Sequence, residues 1–214
     1  FLIFTICGLL DGSRHVAVGM ASPIPGSASL LQRRLSGGDT RVSILQSSRL
    51  NAFTSGGFEV FDLAAQGRID TFFLSGGQID GNGNVNLVGT GTYPEFETRW
   101  AGSFGSAYLY FLIPKVILFR FEHSRRVMVR EVDFVSTPGV SETKLYRKGG
   151  PFALVTNLCV FMFDENKRSF RLESIHPGHT LEEVRDNTGF EFEVTEKCKF
   201  TAMPGSQIVD ILRQ

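Results

Sequence analysis

The stretch HVAVGMASPIPGSASLLQRRLSGGDTRVSILQ, from His15 to Gln46, decides the fold. His15-Val16-Ala17-Val18 is a short run rich in β-branched residues that stops at Gly19, the pattern of a fully buried strand. Pro23 and Pro25 follow in what reads as a loop. Ser27 to Leu35 places Ala28, Leu30, Leu31 and Leu35 at helical spacing, with Gly37-Gly38 as a stop. Val42-Ser43-Ile44-Leu45 is a second apolar run, ending at Gln46. Strand, helix and strand in this order make a βαβ unit, and its two strands must lie parallel.

Outward from this unit the same logic repeats. Phe58 to Ala65 is spaced as a helix, and Thr71-Phe72-Phe73-Leu74 reads as a buried strand. Val116-Ile117-Leu118-Phe119 is a further strand, followed by Val127 to Val135 with apolar side chains at Val127, Val129 and Val132. Ala153 to Thr156 and Cys159 to Phe163 are short apolar runs, and Ser169 to Ile175 alternates as a strand with one wet face does. These three runs suggest a meander joined to the parallel core. Thr180-Leu181-Glu182-Glu183 has the form of a capping box, opening a helix that should stop near Asn187 with Gly189 beyond. Ser136 to Gly150, rich in Gly, Lys and Pro, is the expected exposed flexible loop. The expected class is α/β: a mostly parallel sheet flanked by helices, with a small antiparallel addition, in a single domain over residues 1–214.

Composition narrows the function classes. Hydrophobic residues make up 42% and charged residues 21% of the chain, ordinary for a globular protein. Lys plus Arg balance Asp plus Glu at 22 each, so no global field draws in nucleic acid or an anionic membrane surface. An anionic ligand must be met by local donors. Cys7, Cys159 and Cys198 are widely separated and odd in number, which suits reduced thiols in a cytoplasm. Phe1 to Leu10 lacks a basic leading region and a small-residue cleavage site, and is too short to span a bilayer. It fits a core-facing helix that begins upstream of Phe1.

Glycine density peaks in Ser75-Gly76-Gly77-Gln78-Ile79-Asp80-Gly81-Asn82-Gly83-Asn84-Val85-Asn86. Gly76-Gly77 directly follows an expected strand, and ligands in parallel α/β sheets sit beyond the carboxyl ends of strands. Two glycines there would let the backbone approach a ligand, or would serve a tight turn with positive φ. The segment 80–84 has the flavour of a calcium loop but lacks its glycine and its glutamate, and reads as a turn. Gly102-Ser103-Phe104-Gly105-Ser106-Ala107 would cradle a carbonyl oxygen with its amides or allow close helix packing. His176-Pro177-Gly178-His179 reads as a solvated turn rather than a metal site. His123-Ser124-Arg125-Arg126 gathers three potential cations, either a solvated strand end or a contact to phosphates or to a partner.

Taken in order, these segments resemble the class I coenzyme A-transferase family, in particular β subunits of the glutaconate CoA-transferase type. The Gly-Gly-Ala-Gln-Ile-Asp-x-x-Gly-Asn-x-Asn signature of that family resembles Ser75-Gly76-Gly77-Gln78-Ile79-Asp80 running on to Gly83-Asn84-Val85-Asn86. His123 to Val127, Asp133-Phe134-Val135-Ser136-Thr137-Pro138-Gly139, His176-Pro177-Gly178 and Asn187-Thr188-Gly189-Phe190 resemble further family segments. The resemblance covers about residues 13 to 195.

The resemblance implies a CoA-transferase-like (NagB/RpiA-like) fold and an α-type partner subunit of similar fold in a heteromer such as α2β2. It also implies an active site near the subunit interface, acyl-CoA as substrate, no cofactor beyond the CoA carried by the substrate, and a cytoplasmic location. In the family's transferases a β-subunit glutamate attacks the thioester and carries CoA as a glutamyl thioester. The matching strand end here reads Leu45-Gln46-Ser47-Ser48, so an amide stands where the carboxylate is expected, and the segment between Arg49 and Gly57 is shortened. The resemblance therefore also admits CoA-ester hydrolysis, carbon–carbon cleavage, decarboxylation, or a non-catalytic partner of an active α subunit. Gln46 and Ser47 are the expected catalytic positions. Gly76, Gly77, Gln78, Gly102, Ser103 and Gly105 are the expected substrate and CoA contacts.

Overall fold

Short runs of Val, Ile and Phe form strands here because side chains on both faces can be buried, while the longer periodic segments cover those faces as helices. The computed structural model describes residues 1–51, 53, 57–142 and 144–213, with residues 196 and 197 by their backbone only. In chain order the elements are α1 (Leu2–Leu9), β1 (His15–Val18), α2 (Pro23–Leu35), β2 (Arg41–Ile44), α3 (Phe58–Ala65), β3 (Thr71–Leu74), β4 (Gln78–Ile79), β5 (Val85–Asn86) and β6 (Gly89–Gly91). They continue with β7 (Phe96–Arg99), α4 (Ser106–Leu112), β8 (Lys115–Phe119), β9 (Pro151–Val155), β10 (Cys159–Asp164), β11 (Ser169–Ile175), α5 (Leu181–Asn187), β12 (Glu193–Phe200) and α6 (Ser206–Leu212). The chain forms two compact units, one of residues 1–73, 113–115 and 202–214, the other of residues 74–112 and 116–201.

In the first unit β1 pairs in parallel with β2 on one side and β3 on the other, as the βαβ reading requires. Val16, Ala17 and Val18 are wholly buried, and α1 packs on α2. Helix α2 starts four residues earlier than the spacing suggested. Pro23 and Pro25 lie in its first turn, where a missing N–H costs nothing and φ near −65° is already helical. Strand β2 ends at Ile44, so Gln46 lies two residues beyond it, in a turn.

In the second unit β8 and β9 are parallel, β9–β10 and β10–β11 are antiparallel, and β11–β12 are parallel again. The meander is present, with one further strand, β12, on its outer edge. The core between β10, β11 and the following loop is aromatic. Phe161 packs against Phe192 at 5.0 Å and Phe190 at 5.9 Å between ring centroids, and Phe163 meets Phe170 edge-on at 5.1 Å. Two small antiparallel hairpins, β4–β5 and β6–β7, complete the unit.

Several local readings change. Residues 127–135 form neither helix nor strand, yet Val127 and Met128 are fully buried because the backbone is clamped by Ile79 on both sides. The segment 136–150 is exposed at Lys144, Leu145 and Tyr146, but its start is anchored: Ser136 donates to the Val85 carbonyl at 2.9 Å and Thr137 is buried. The Thr180 hydroxyl caps α5 by accepting from the Glu183 amide at 3.1 Å. The Glu183 carboxylate reaches instead to His179 Nδ1 at 2.9 Å. The shortened segment after Arg49 falls largely on residues 52 and 54–56, outside the described residues. Among the described residues, no helix is long and apolar enough to cross a membrane.

Candidate functional site

Parallel strands end with their carboxyl termini on one side, where side chains beyond the last hydrogen bond are free to face a ligand. In the first unit this edge is formed by Val18 at the end of β1 and Ile44 at the end of β2. The Leu45 amide donates to the Val18 carbonyl at 3.0 Å, and the Ser47 amide donates to the Ile44 carbonyl at 3.1 Å. Gln46 is held between these two bonds in a left-handed conformation, φ +63°, and Ala21, in the loop after β1, has φ +54°. For an L-residue with a side chain such a backbone costs about 1–2 kcal/mol. Strain of this kind persists where the surroundings fix it, and it concentrates at functional sites. Gln46 is exposed and its side chain makes no hydrogen bond among the described residues. Ser47 is engaged in the turn: its hydroxyl oxygen accepts from the Leu50 amide at 3.1 Å and weakly from Arg49 at 3.4 Å.

The remaining expected residues lie in the second unit. Neither Gly76 nor Gly77 has positive φ, so the reading as a left-handed turn is corrected. Their smallness answers to packing. A Cβ on Gly76 would overlap Val85, and a Cβ on Gly77 would sit inside the Trp100 ring. The Gly77 amide is already given to the Asn86 carbonyl at 2.9 Å. Gln78 is buried, and its side-chain oxygen accepts from Asn86 Nδ2 at 2.8 Å and from the Asp133 amide at 3.0 Å.

The rest of the Gly-Asn-rich motif is wired in the same way. Asp80 accepts from the amides of Asn82 and Asn84 and from the Asn84 side chain, each at 3.0 Å, while burial pushes its carboxyl above the usual range. Asn84 passes the link on by accepting from the Gly139 amide at 3.0 Å. The motif thus specifies a rigid loop through its own polar side chains.

Gly102 has φ +99° with open space around it, so backbone conformation rather than close packing calls for glycine, and its amide donates to the Leu87 carbonyl at 3.1 Å. The Ser103 carbonyl accepts from both the amide and the hydroxyl of Ser106, at 2.9 and 2.6 Å, opening α4. The Gly105 carbonyl accepts from the Leu109 amide at 3.1 Å.

The basic cluster near residue 123 is not three free cations. His123 is buried and bonded at both ring nitrogens, to Thr156 and Thr188 hydroxyls at 2.8 Å each, and burial lowers its pKa to about 4. Arg126 pairs with Glu122, Nε to Oε1 at 2.7 Å, and Arg125 donates to the Asp186 carbonyl at 2.6 Å. His15 and His176 are likewise buried with both nitrogens engaged. His176 is therefore a core residue rather than part of a solvated turn. Cys7, Cys159 and Cys198 are unpaired, with burial raising each thiol pKa, Cys7 to about 11. Neutral imidazoles tied at both ends and protonated thiols are poor general bases and nucleophiles. Among the described residues, the amide of Gln46 is an exposed polar side chain just beyond a strand end with no hydrogen-bond partner.

A family model described as coenzyme A transferase matches residues 13–187, and the chain belongs to that family. Within it the chain is similar to the second component of two-chain enzymes. It is 32% identical over 162 residues to the B subunit of 3-oxoadipate CoA-transferase from Pseudomonas knackmussii, covering 72% of this chain and 62% of that one. The B subunit of glutaconate CoA-transferase from Acidaminococcus fermentans is 28% identical over 165 residues, with coverage of 74% and 61%. The cholesterol ring-cleaving hydrolase IpdB subunit of Rhodococcus jostii is 31% identical over 160 residues, with coverage of 73% and 62%. The chain thus spans about three fifths of the length of these relatives. The solved structure of Rhodococcus jostii RHA1 IpdAB superposes with a TM-score of 0.85 at 25% identity, covering 100% of this chain and 91% of that one.

Proposed function

We propose that the chain is the β-type subunit of a heteromeric enzyme acting on acyl-CoA thioesters, with Gln46 at the position where the family's transferases carry a nucleophilic glutamate. The observation that carries the reading is the strained, exposed turn at the end of β2 that presents a side-chain amide with no partner of its own among the described residues. An α-type subunit completes the site in a heteromer such as α2β2, and CoA enters as part of the substrate.

CoA transfer through this position needs an ionised carboxylate. Its oxygen attacks the thioester carbonyl and expels the CoA thiolate, which then returns to the resulting anhydride. The amide of Gln46 has no negative charge and cannot carry CoA as a glutamyl thioester. Its NH2 can donate to an oxygen that gains negative charge, a thioester oxyanion or an enolate, and a preorganised donor of this kind is worth about 10²–10³ in rate. This favours hydrolysis or carbon–carbon cleavage of a CoA ester over transfer, and the similarity to a subunit named as a ring-cleaving hydrolase supports that direction. The twin glycines, Gln78 and the 102–105 turn shape the second unit; the glycines offer a ligand backbone groups, and Ser103 carries a hydroxyl as well.

The test is to purify the chain with its co-purifying partner and incubate the complex with a panel of acyl-CoAs. Release of free CoA, a cleaved acyl product or carbon dioxide without exchange between acids supports the reading. Steady exchange of CoA between two acids with ping-pong kinetics overturns the hydrolase or cleavage form of it.

A further inference from the structure

Along β2, the first unit carries a cleft of about 400 Å3 lined by Arg33, Arg41 and Arg49, with Gly38, Leu50 and Asn51 among them. The arginines come from three segments: the last turn of α2, the first residue of β2, and the turn that follows Gln46. All three are exposed, and no ion pair among the described residues engages any of them. A chain with balanced charges has no general reason to converge three unpaired guanidinium groups on one concavity.

Arg33 has a structural explanation of its own, since a cation in the last turn complements the negative end of a helix. That end carries only about half an elementary charge, which a single arginine already outweighs. Arg41 and Arg49 have no such explanation. Guanidinium groups differ from ammonium groups in offering planar forks that match two oxygens of one phosphate or carboxylate at once. The volume lies in the range that small ligands occupy, and a concavity suits a compact anion better than an extended protein surface does. Position matters as well. Ser47 to Asn51 is one hydrogen-bonded turn, the Asn51 amide donating to the Ser47 carbonyl at 3.2 Å, and the Leu50 carbonyl accepts from the Ile44 amide at 3.0 Å. The segment that presents Gln46 at its start therefore fixes Arg49 and Asn51 at its end.

We propose that this cleft is a phosphate-binding site, and that it takes the phosphorylated ADP head of a CoA-type nucleotide. The choice of phosphate rests on the three arginines. The choice of nucleotide rests on the reading of the chain as acting on CoA thioesters. The phosphomonoester and the diphosphate of CoA lie at the end of the molecule remote from the thioester, so a binding site apart from the reacting carbonyl is what the ligand's shape demands. Binding energy gathered there holds the thioester in register with the strand end.

The test titrates the full chain, in the complex in which it purifies, with adenosine 3′,5′-bisphosphate, CoA, dephospho-CoA and inorganic phosphate, by calorimetry. It is repeated with Arg33→Gln, Arg41→Gln and Arg49→Gln, whose folding is checked by thermal melting. The expected result is a loss of about tenfold or more in affinity for the bisphosphate and for CoA with each substitution, a smaller loss for dephospho-CoA, and binding that weakens steeply with salt. Equal affinities for CoA in the wild type and all three variants overturn the cleft assignment while leaving the acyl-CoA reading standing. Arginine-dependent binding of inorganic phosphate and bisphosphate in a complex that ignores CoA keeps the phosphate site and removes CoA as its ligand. No binding of any of the four probes overturns the site altogether.

Discussion

The Leu45 amide bonds to the Val18 carbonyl at 3.0 Å, so the turn bearing Gln46 is fastened to the end of β1 as well as to its own strand. Gln46 consequently has little freedom to relax out of its left-handed backbone, and side-chain replacements there should separate stability from function. Glycine adopts φ +63° freely but costs about 0.5–1 kcal/mol more entropy on folding, so Gln46→Gly should change stability by less than about 1 kcal/mol. Gln46→Val, β-branched and poorly suited to positive φ, should destabilise clearly. Both should lower turnover by about a hundredfold. Chemical denaturation together with acyl-CoA turnover measures the two effects. A silent Gln46→Gly in turnover would mean that the amide takes no part.

Gly77→Ala should be disruptive for a reason that is visible only in three dimensions. Its new methyl group must displace the Trp100 ring, and overpacking of this kind costs about 1–3 kcal/mol. Trp100 is the chain's one tryptophan, so its fluorescence reports the displacement directly. Adding Trp100→Leu to Gly77→Ala should recover part of the loss. If the double variant is no more stable than the sum of the singles predicts, the two residues do not compete for the same space.

How much of this was open to reading from the residues differs by element. β1, β3 and β8 announce themselves because a strand buried on both faces must be a short continuous apolar run. β12, Glu193-Val194-Thr195-Glu196-Lys197-Cys198-Lys199-Phe200, gives no such signal, because an edge strand can carry charge along its length. Pro23 and Pro25 looked like a loop because proline breaks helices everywhere except in the first turn. At the candidate site, Gly76-Gly77 was legible as a special place, but its cause is a ring twenty-odd residues downstream. The left-handed φ of Gln46, and the meeting of Arg33, Arg41 and Arg49, depend on tertiary structure and leave no local trace.

Asn86 holds three positions of the second unit at once. Its side chain donates to Gln78 Oε1 at 2.8 Å and to the Gly89 carbonyl at 2.7 Å, and accepts from the Val88 amide at 2.9 Å. Asn86→Ala takes this partner from the Val88 amide and the Gly89 carbonyl in a buried setting, at about 1–3 kcal/mol for each group left unsatisfied, while Gln78 Oε1 keeps the Asp133 amide. Urea unfolding should show a loss of about 3 kcal/mol or more. A loss under about 1 kcal/mol would mean that the loop is held by something else.

Acid should weaken the second unit through His123. Its native pKa, about 4, lies below the value of 6.5 for a free imidazole, so between these limits the unfolded chain binds more protons than the folded one. The stability of the neutral ring is fully present above about pH 6.5 and is lost as pH falls toward 4, on the order of 3 kcal/mol in all. His15 and His176 are also lowered by burial and act in the same sense. Unfolding curves of wild type and His123→Gln should therefore converge as pH falls through this window. Parallel curves would show that His123 binds protons alike in the folded and unfolded chain.

In the proposed function, position 46 faces the thioester with an amide where a carboxylate would form a covalent bond. The most direct measurement is the intact mass of this chain after incubation of the complex with acyl-CoA, in wild type and Gln46→Glu. The expected result is no adduct on the wild-type chain and a hydroxylamine-sensitive CoA adduct on the variant at residue 46. An adduct on the wild-type chain, or a variant that is never labelled while the complex still consumes acyl-CoA, would contradict it.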